Sequence, residues 1–136
     1  MTSRSYERLA CPIAQSLSVL GKQWTLLILR DVLFGYSRFE EFQSSLGISR
    51  NLLSRRLAEM VESCLLERRP LHEGAKRHEY VATDKARGLL PVLLALGQWT
   101  ERWEPSLDGP RVTPCDPENG EPVTVPLMPR GADRGV

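Results

Sequence analysis

Long apolar segments are missing from this chain of 136 residues. Its longest apolar run, Leu89–Leu96, is far shorter than the roughly 20 residues that a membrane-spanning helix needs. The first seven residues also lack the apolar core of a signal peptide. We therefore expect a cytoplasmic protein without a membrane partner.

Cysteine and histidine are scarce. The three cysteines (Cys11, Cys64 and Cys115) show no CxxC spacing, which excludes a disulfide scaffold and a zinc site. The two histidines, His72 and His78, fit no regular ligand spacing, so we expect no metal. A glycine-rich phosphate loop and a nucleophile elbow are absent as well. The sequence therefore predicts a protein that is not an enzyme and holds no cofactor.

Charge of one sign is not in excess either. Lys and Arg number 18 and Asp and Glu number 17, so the formal net charge is +1. This total neither favours nor excludes nucleic acid as a partner, and only the distribution of charge is informative. Residues 49–78 carry seven cations and four anions, a local net charge of +3. A basic surface is therefore expected in this stretch.

The composition is that of a globular domain, with 41% hydrophobic and 26% charged residues. The length fits one domain, which we place at residues 9–104. Seven of the ten prolines lie from Pro105 onward, and proline interrupts helices. Residues 105–136 are therefore predicted to form an extended tail. Within it, Asn119-Gly120 suits the turn of one small hairpin with arms at residues 112–113 and 123–125.

Apolar residues at helical spacing predict two helices at the start of the domain. The first spans Pro12–Leu20. The second, Trp24–Phe34, is apolar nearly all round and is expected to be a central, buried helix. A short third helix is expected to start with a capping box formed by Ser37 and Glu40.

A helix-turn-helix and a hairpin are predicted next. Gly47 ends the short helix, and Ser49 caps a fourth helix with an apolar inner stripe. After Cys64 the apolar period changes from about 3.6 to 2 residues, which indicates a β-hairpin around a basic turn. The last helix is expected from Thr83 to about Glu104, with a kink at Pro91. The fold class is therefore α+β and mainly helical: a winged helix-turn-helix with a long C-terminal dimerisation helix and a proline-rich tail.

The fourth helix and the hairpin carry the candidate contacts to double-stranded DNA. In a helix-turn-helix the second helix enters the major groove with its N-terminal residues toward the bases. Here these residues are Ser49, Arg50, Asn51, Ser54, Arg55 and Arg56, where Arg56 has a phosphate or a carboxylate as its alternative partner. Contacts to the DNA backbone are expected from Arg38 and from the wing residues Lys76 and Arg77. The alternative for all of them is an ordinary solvated surface.

Cys11 precedes Pro12 and is therefore expected at the N-cap of the first helix. Backbone N–H groups and the helix dipole favour an anion there, so a thiolate at Cys11 could sense oxidants or electrophiles. The alternative is a small buried residue, which is how an unpaired cysteine usually behaves.

The last helix carries more apolar surface than one small domain needs. We interpret the surplus as a dimer interface, although the tail could also fold back over it. The residues assigned to this interface are Leu89, Leu93, Leu96, Trp99 and Trp103.

The sequence resembles the HxlR-type winged helix-turn-helix transcriptional regulators, which are similar to MarR-type proteins. The resemblance covers about residues 9–104 and rests on an ordered string of motifs. These are Cys11-Pro12, Gly21–Asp31, Gly35, Arg38-Phe39, Gly47–Ser49, Leu53–Leu57, Leu65–Arg68, Glu79-Tyr80, Thr83 and Leu89–Leu93. In three places the chain departs from the family pattern, at Gln23, Cys64 and Ala86. Cys64 stands where glycine is common, so a left-handed backbone there would be strained by about 1 kcal/mol.

The resemblance implies a bacterial or archaeal regulator that binds a near-palindromic operator as a homodimer. Pairing through the N- and C-terminal helices adds Leu17 to the expected interface. In some members the cysteine matching Cys11 senses oxidants or electrophiles, and the signal for this chain stays open. The alternative function is a winged-helix protein-interaction module that does not bind DNA.

Overall fold

The computed structural model of the chain describes residues 10–105 and 114–126. Within these residues, four helices lead into a two-stranded antiparallel sheet and two helices follow it. The elements are α1 (Pro12–Leu20), α2 (Thr25–Leu33), α3 (Phe39–Leu46), α4 (Arg50–Glu62), β1 (Leu66–Pro70), β2 (His78–Ala82), α5 (Asp84–Arg87) and α6 (Leu90–Trp103). A helix-turn-helix followed directly by a hairpin confirms the predicted winged helix-turn-helix.

The chain divides into two units, Met1–Gly88 and Leu89–Val136. The first unit contains α1 to α5 and the hairpin, and the second contains α6 and the described part of the tail. The boundary expected from the prolines lies later, at residue 105. In the structure α6 shares its unit with the tail, to which it is hydrogen bonded.

The core of the first unit is formed by α2, α3 and α4. Five large side chains in these helices have no exposed surface: Ile28, Leu29, Phe42, Leu53 and Leu57. Burying one such side chain contributes about 1.5–3 kcal/mol, so this cluster holds the two helices of the helix-turn-helix against α2.

The helix α2, predicted to be central and buried, is buried along one face and exposed along another. Its buried apolar residues, Ile28, Leu29 and Val32, lie on one face, and α2 packs against α3 and β2. Leu27 and the C-cap residue Phe34 are 41% and 49% exposed. Apolar residues lie on nearly every side of α2, so the sequence alone could not show which side stays exposed after α3 and β2 pack against the helix.

The start of α3 differs from the predicted capping box. Glu41, not Glu40, accepts hydrogen bonds from the backbone N–H groups of Ser37 and Arg38, at 3.0 and 2.9 Å. These bonds stabilise the carboxylate and lower the pKa of Glu41 below its ordinary value. Arg38 is the extended N-cap residue, one position later than predicted, because the helix begins at Phe39.

A three-residue turn joins α3 to α4 and confirms both predicted turn residues. Gly47 has a φ of 67°, which favours glycine, and its N–H group donates to the Gln43 carbonyl at 2.9 Å. Ile48 is buried and anchors the turn in the core. The Ser49 hydroxyl accepts a hydrogen bond from the backbone of Leu52 and caps α4.

The predicted hairpin is also confirmed. Its strands pair in antiparallel register from Leu66 opposite Ala82 to Pro70 opposite His78. The Tyr80 N–H group donates to the Ser37 carbonyl at 2.7 Å, so the wing is tied to the start of α3. The helix-turn-helix and the wing therefore hold a fixed relation within the first unit.

Cys64 lies in the left-handed backbone region, with a φ of 65°. This confirms the strain expected for a side chain at this position. The Thr83 hydroxyl donates to the Cys64 carbonyl at 2.6 Å and helps to hold the turn between α4 and β1.

The prediction of one kinked helix from Thr83 to Glu104 is wrong, because the chain breaks cleanly there. Thr83 caps the short α5, which ends at Arg87, and α6 begins at Leu90 with Pro91 in its first turn. Proline has no N–H group, and its ring would clash with the carbonyl four residues earlier, that of Arg87. In a first helical turn neither defect matters, so Pro91 starts a new helix.

The tail is anchored on α6 within the second unit. The side-chain amide of Gln98 accepts from the Val125 N–H at 2.8 Å and donates to the Val125 carbonyl at 2.7 Å. Cys115 and Pro122 form one isolated bridge across a turn that contains Gly120, whose φ is 72°. The predicted turn at Asn119-Gly120 therefore exists, but its first arm at residues 112–113 lies outside the described residues.

Candidate nucleic-acid interface

One face of α4 is exposed over its first two turns. Its opposite face is buried in the core through Leu53, Leu57 and Met60. The exposed positions are five of those predicted to contact DNA: Ser49, Arg50, Asn51, Ser54 and Arg55. They lie together at the end of the helix that enters the major groove in helix-turn-helix proteins.

Arg50 is held by a partner that the sequence did not suggest. Its guanidinium carbon lies 5.0 Å from the centroid of the Phe39 ring. Phe39 is the first residue of α3, so this cation–π contact joins the two helices of the motif. The contact limits the conformations of Arg50 but leaves the side chain exposed, which lowers the entropy lost on binding a ligand.

Arg56 does not share this exposed face. Its side chain is only 14% exposed, and its Nη1 lies 2.9 Å from Oε1 of Glu59. Its Nε donates to the Gln23 carbonyl at 2.8 Å. Of the alternatives considered for Arg56, the structure shows the carboxylate partner.

The remaining predicted cations lie around the wing and the start of α3. Arg38, Lys76 and Arg77 are all exposed. Nη2 of Arg77 pairs with Oε1 of Glu40 at 3.2 Å, and this ion pair links the wing to α3. Both side chains are more than half exposed, so the pair is expected to stabilise the fold little.

A basic cleft separates the wing from α3. It is lined by Arg38, Arg68, Lys76, Arg77 and His78, with Glu40 as its acidic member. Sequence reasoning did not assign Arg68 and His78, whose Nη2 and Nδ1 lie 3.3 Å apart. The hairpin register could have suggested them, because both residues belong to the paired strands and flank the basic turn.

Cys11 occupies the N-cap of α1 as predicted, and its side chain is half-buried. Its carbonyl accepts the first helical hydrogen bond, from Gln15 at 2.9 Å. Pro12 follows as the first residue of α1, and the sulfur makes no capping bond.

The apolar residues predicted for a dimer interface differ in exposure. On α6, Leu96, Trp99 and Trp103 are 48%, 51% and 62% exposed, whereas Leu93 and the N-cap residue Leu89 are half-buried. Val92, which was not predicted, is also exposed and completes a stripe at intervals of four, three and four residues. On α1, Leu17 is exposed, and so is Ile13, another residue not predicted.

Residues 10–105 and 114–126 offer neither a metal site nor a membrane-spanning helix. No group of three or more His, Cys, Asp or Glu side chains in this part could hold a metal ion. No helix in the same ranges has the length and hydropathy to cross a membrane.

A family model described as HxlR-like helix-turn-helix matches residues 19–108. This chain belongs to the HxlR family. The match includes the helix-turn-helix, the wing and α6. It therefore confirms the resemblance seen in the sequence motifs.

Relatives of this HxlR-family chain carry names that refer to transcriptional regulation. The uncharacterized HTH-type transcriptional regulator Rv3095 of Mycobacterium tuberculosis is 39% identical over 100 residues, which are 74% of this chain and 63% of the relative. The chain therefore spans less than two thirds of that relative's length.

Solved structures support the same family. PA1607, a candidate transcription factor, is 39% identical with a TM-score of 0.78, and the match covers 88% of this chain and 83% of PA1607. The reduced form of the transcriptional regulator YodB from Bacillus subtilis is 30% identical with a TM-score of 0.61, and the match covers 74% of this chain and 100% of YodB. YodB is also known diamide-treated and quinone-bound.

Proposed function

We propose that this HxlR-family chain is a transcriptional regulator that binds double-stranded operator DNA in a sequence-specific manner. The observation that supports this most is the exposed set at the start of α4: Ser49, Arg50, Asn51, Ser54 and Arg55. Arginine pairs with guanine through two hydrogen bonds and asparagine pairs with adenine in the same way, so this set is suited to reading bases.

Backbone contacts are assigned to the cations around the basic cleft. Arg38, Lys76 and Arg77 are exposed, and phosphate contacts from them would fix the register of α4 on the duplex. The Arg77–Glu40 ion pair is exposed to solvent, so a phosphate could replace the carboxylate at little cost.

The proposed active form is a homodimer on a near-palindromic operator. Two recognition helices would then lie roughly 34 Å apart, one turn of DNA, on symmetric half-sites. The exposed apolar stripe on α6 supports this assembly, because a soluble protein rarely leaves such a stripe uncovered.

The function is tested by fluorescence anisotropy with the DNA upstream of the chain's own gene and a scrambled control. We expect much tighter binding to the upstream sequence and a steep loss of affinity between two salt concentrations, since each phosphate contact releases counterions. Equal and weak binding to both duplexes, followed by a genome-wide selection that enriches no fragment, would favour the protein-interaction module instead.

A redox or electrophile response through Cys11 is the finer part of the proposal. Cys11 is half-buried at the N-cap of α1, so part of the residue is accessible to small oxidants and electrophiles. The related YodB structures in diamide-treated and quinone-bound forms support such a response in this family. Modification of Cys11 would disturb α1, which the family resemblance places in the dimer interface.

The Cys11 response is tested with a protein that retains only this cysteine, through the changes Cys64→Gly and Cys115→Ser. We expect diamide or a quinone to release it from the operator, and Cys11→Ser in the same background to keep it bound. Release of the Cys11→Ser protein by the same treatment would rule out this assignment.

A further inference from the structure

The turn between α1 and α2 contains one position too crowded for a side chain and one unusual backbone conformation. A Cβ atom at Gly21 would lie 2.5 Å from the Leu17 carbonyl oxygen, so only glycine fits there. Trp24 has a φ of 80°, which places a bulky side chain in the left-handed region. Such a conformation persists only where the surroundings hold it, so this turn must be fixed by contacts to other elements.

The recognition helix α4 supplies those contacts. Nε of Arg56 donates to the Gln23 carbonyl at 2.8 Å, next to the strained Trp24. Glu59, one helical turn later, accepts from Arg56 at 2.9 Å through Oε1 and from the Lys22 ammonium through Oε2. One carboxylate therefore bridges a cation of the turn and a cation of α4.

This arrangement differs from an ordinary surface ion pair. The side chains of Arg56 and Glu59 are 14% and 30% exposed, so water screens their attraction less than at the surface. Burial raises the pKa of Glu59, but the hydrogen bonds from Lys22 and Arg56 together outweigh burial and lower it below the ordinary value. Glu59 is therefore ionised at neutral pH, and the three charged groups act as one connected unit.

We infer that Arg56, Glu59 and Lys22 are positioning residues that set the orientation of α4 against the α1–α2 turn and so control operator affinity. The inference rests on the proposed DNA binding. It removes Arg56 from the base-reading set, because its guanidinium is directed at the turn and not toward the exposed face of α4. Since α1 ends at this turn, a displacement of α1 reaches the recognition helix through the same contacts.

The test uses Arg56→Met, which keeps the aliphatic stem and removes both hydrogen bonds. We expect roughly tenfold weaker operator binding, a typical effect of breaking a connected network. The salt dependence is expected to stay unchanged, whereas loss of a phosphate contact would reduce its slope by about 1. The base preference should also stay unchanged, as measured with operators substituted one base pair at a time.

Arg55→Met serves as the matched control. It removes the same charge from the adjacent, exposed position of the same helix. It is expected to relax the preference at one base pair and leave the turn intact. If Arg56→Met fails to fold, Glu59→Gln provides a milder change, with a smaller loss of affinity in the same pattern.

Hydrogen exchange separates positioning from mere stabilisation. Because coupling between two sites is reciprocal, operator binding at α4 is expected to slow exchange of the Thr25 amide, which bonds to the Lys22 carbonyl at 3.3 Å. This protection should disappear in Arg56→Met at saturating operator. Unchanged affinity, a reduced salt slope, a relaxed base preference or retained protection would each overturn the inference. If the unsubstituted protein shows no sequence preference, the proposed function fails first and this inference falls with it.

Discussion

Replacing Arg55 by alanine is expected to weaken operator binding by about 1–3 kcal/mol and to relax the preference at one base pair. Arg55 is exposed at the start of α4, and no hydrogen bond or ion pair between described residues uses its guanidinium. The guanidinium is therefore available to donate two hydrogen bonds to the edge of a guanine. The measurement is an anisotropy titration with the operator and with duplexes that carry single base-pair changes.

The control for Arg55→Ala is Arg87→Ala, which lowers the net charge by the same amount. Arg87 lies on α5, where its guanidinium bonds to the Ala82 carbonyl and to Asp84. We expect this control to keep the base preference of the unsubstituted protein. If Arg55→Ala lost equal affinity for the operator and for random DNA, Arg55 would be a phosphate contact and not a base contact.

The elements of this fold could be predicted from local sequence because each carries its own signal. Gly47 and Ser49 mark the turn of the helix-turn-helix, and the change of apolar period after Cys64 marks the wing. These signals depend only on residues close in sequence, so they can be recognised without knowing how the elements pack. The errors at Glu40 and Pro91 are also local: the first misplaces the start of α3 by one residue, and the second takes a break between two helices for a kink within one.

The roles of individual arginines could not be predicted in the same way. Arg55 and Arg56 are adjacent and chemically identical, yet one is exposed and the other bonds to Gln23, 33 residues away. Only the packing of α4 against the α1–α2 turn separates them. Likewise, the sequence spacing of Phe39 and Arg50 does not predict the cation–π contact between the ring and the guanidinium.

Substitutions in the exposed apolar stripe on α6 are expected to cause the largest loss of operator affinity. Placing two charges on it, with Leu96→Glu and Trp99→Glu together, is expected to convert a dimer into a monomer. These side chains are about half exposed in the single chain, and a dimer would cover them, so the two carboxylates would be buried without partners. Operator affinity should then fall by about 10²–10⁴-fold, because the second half-site is no longer bound intramolecularly.

The measurements are light scattering for the mass in solution and anisotropy with two duplexes, the full operator and a single half-site. Gly97→Glu is the control, because it adds one of the two charges on another face of α6, where a new side chain meets open space. The half-site duplex separates loss of pairing from loss of fold. A monomer that binds the half-site as well as the unsubstituted protein has kept its recognition helix and lost only its partner.

If the doubly substituted protein stays dimeric, the stripe on α6 is not the dimer interface. If it loses half-site binding as well, α6 supports the fold of the DNA-binding unit and not the pairing of two copies.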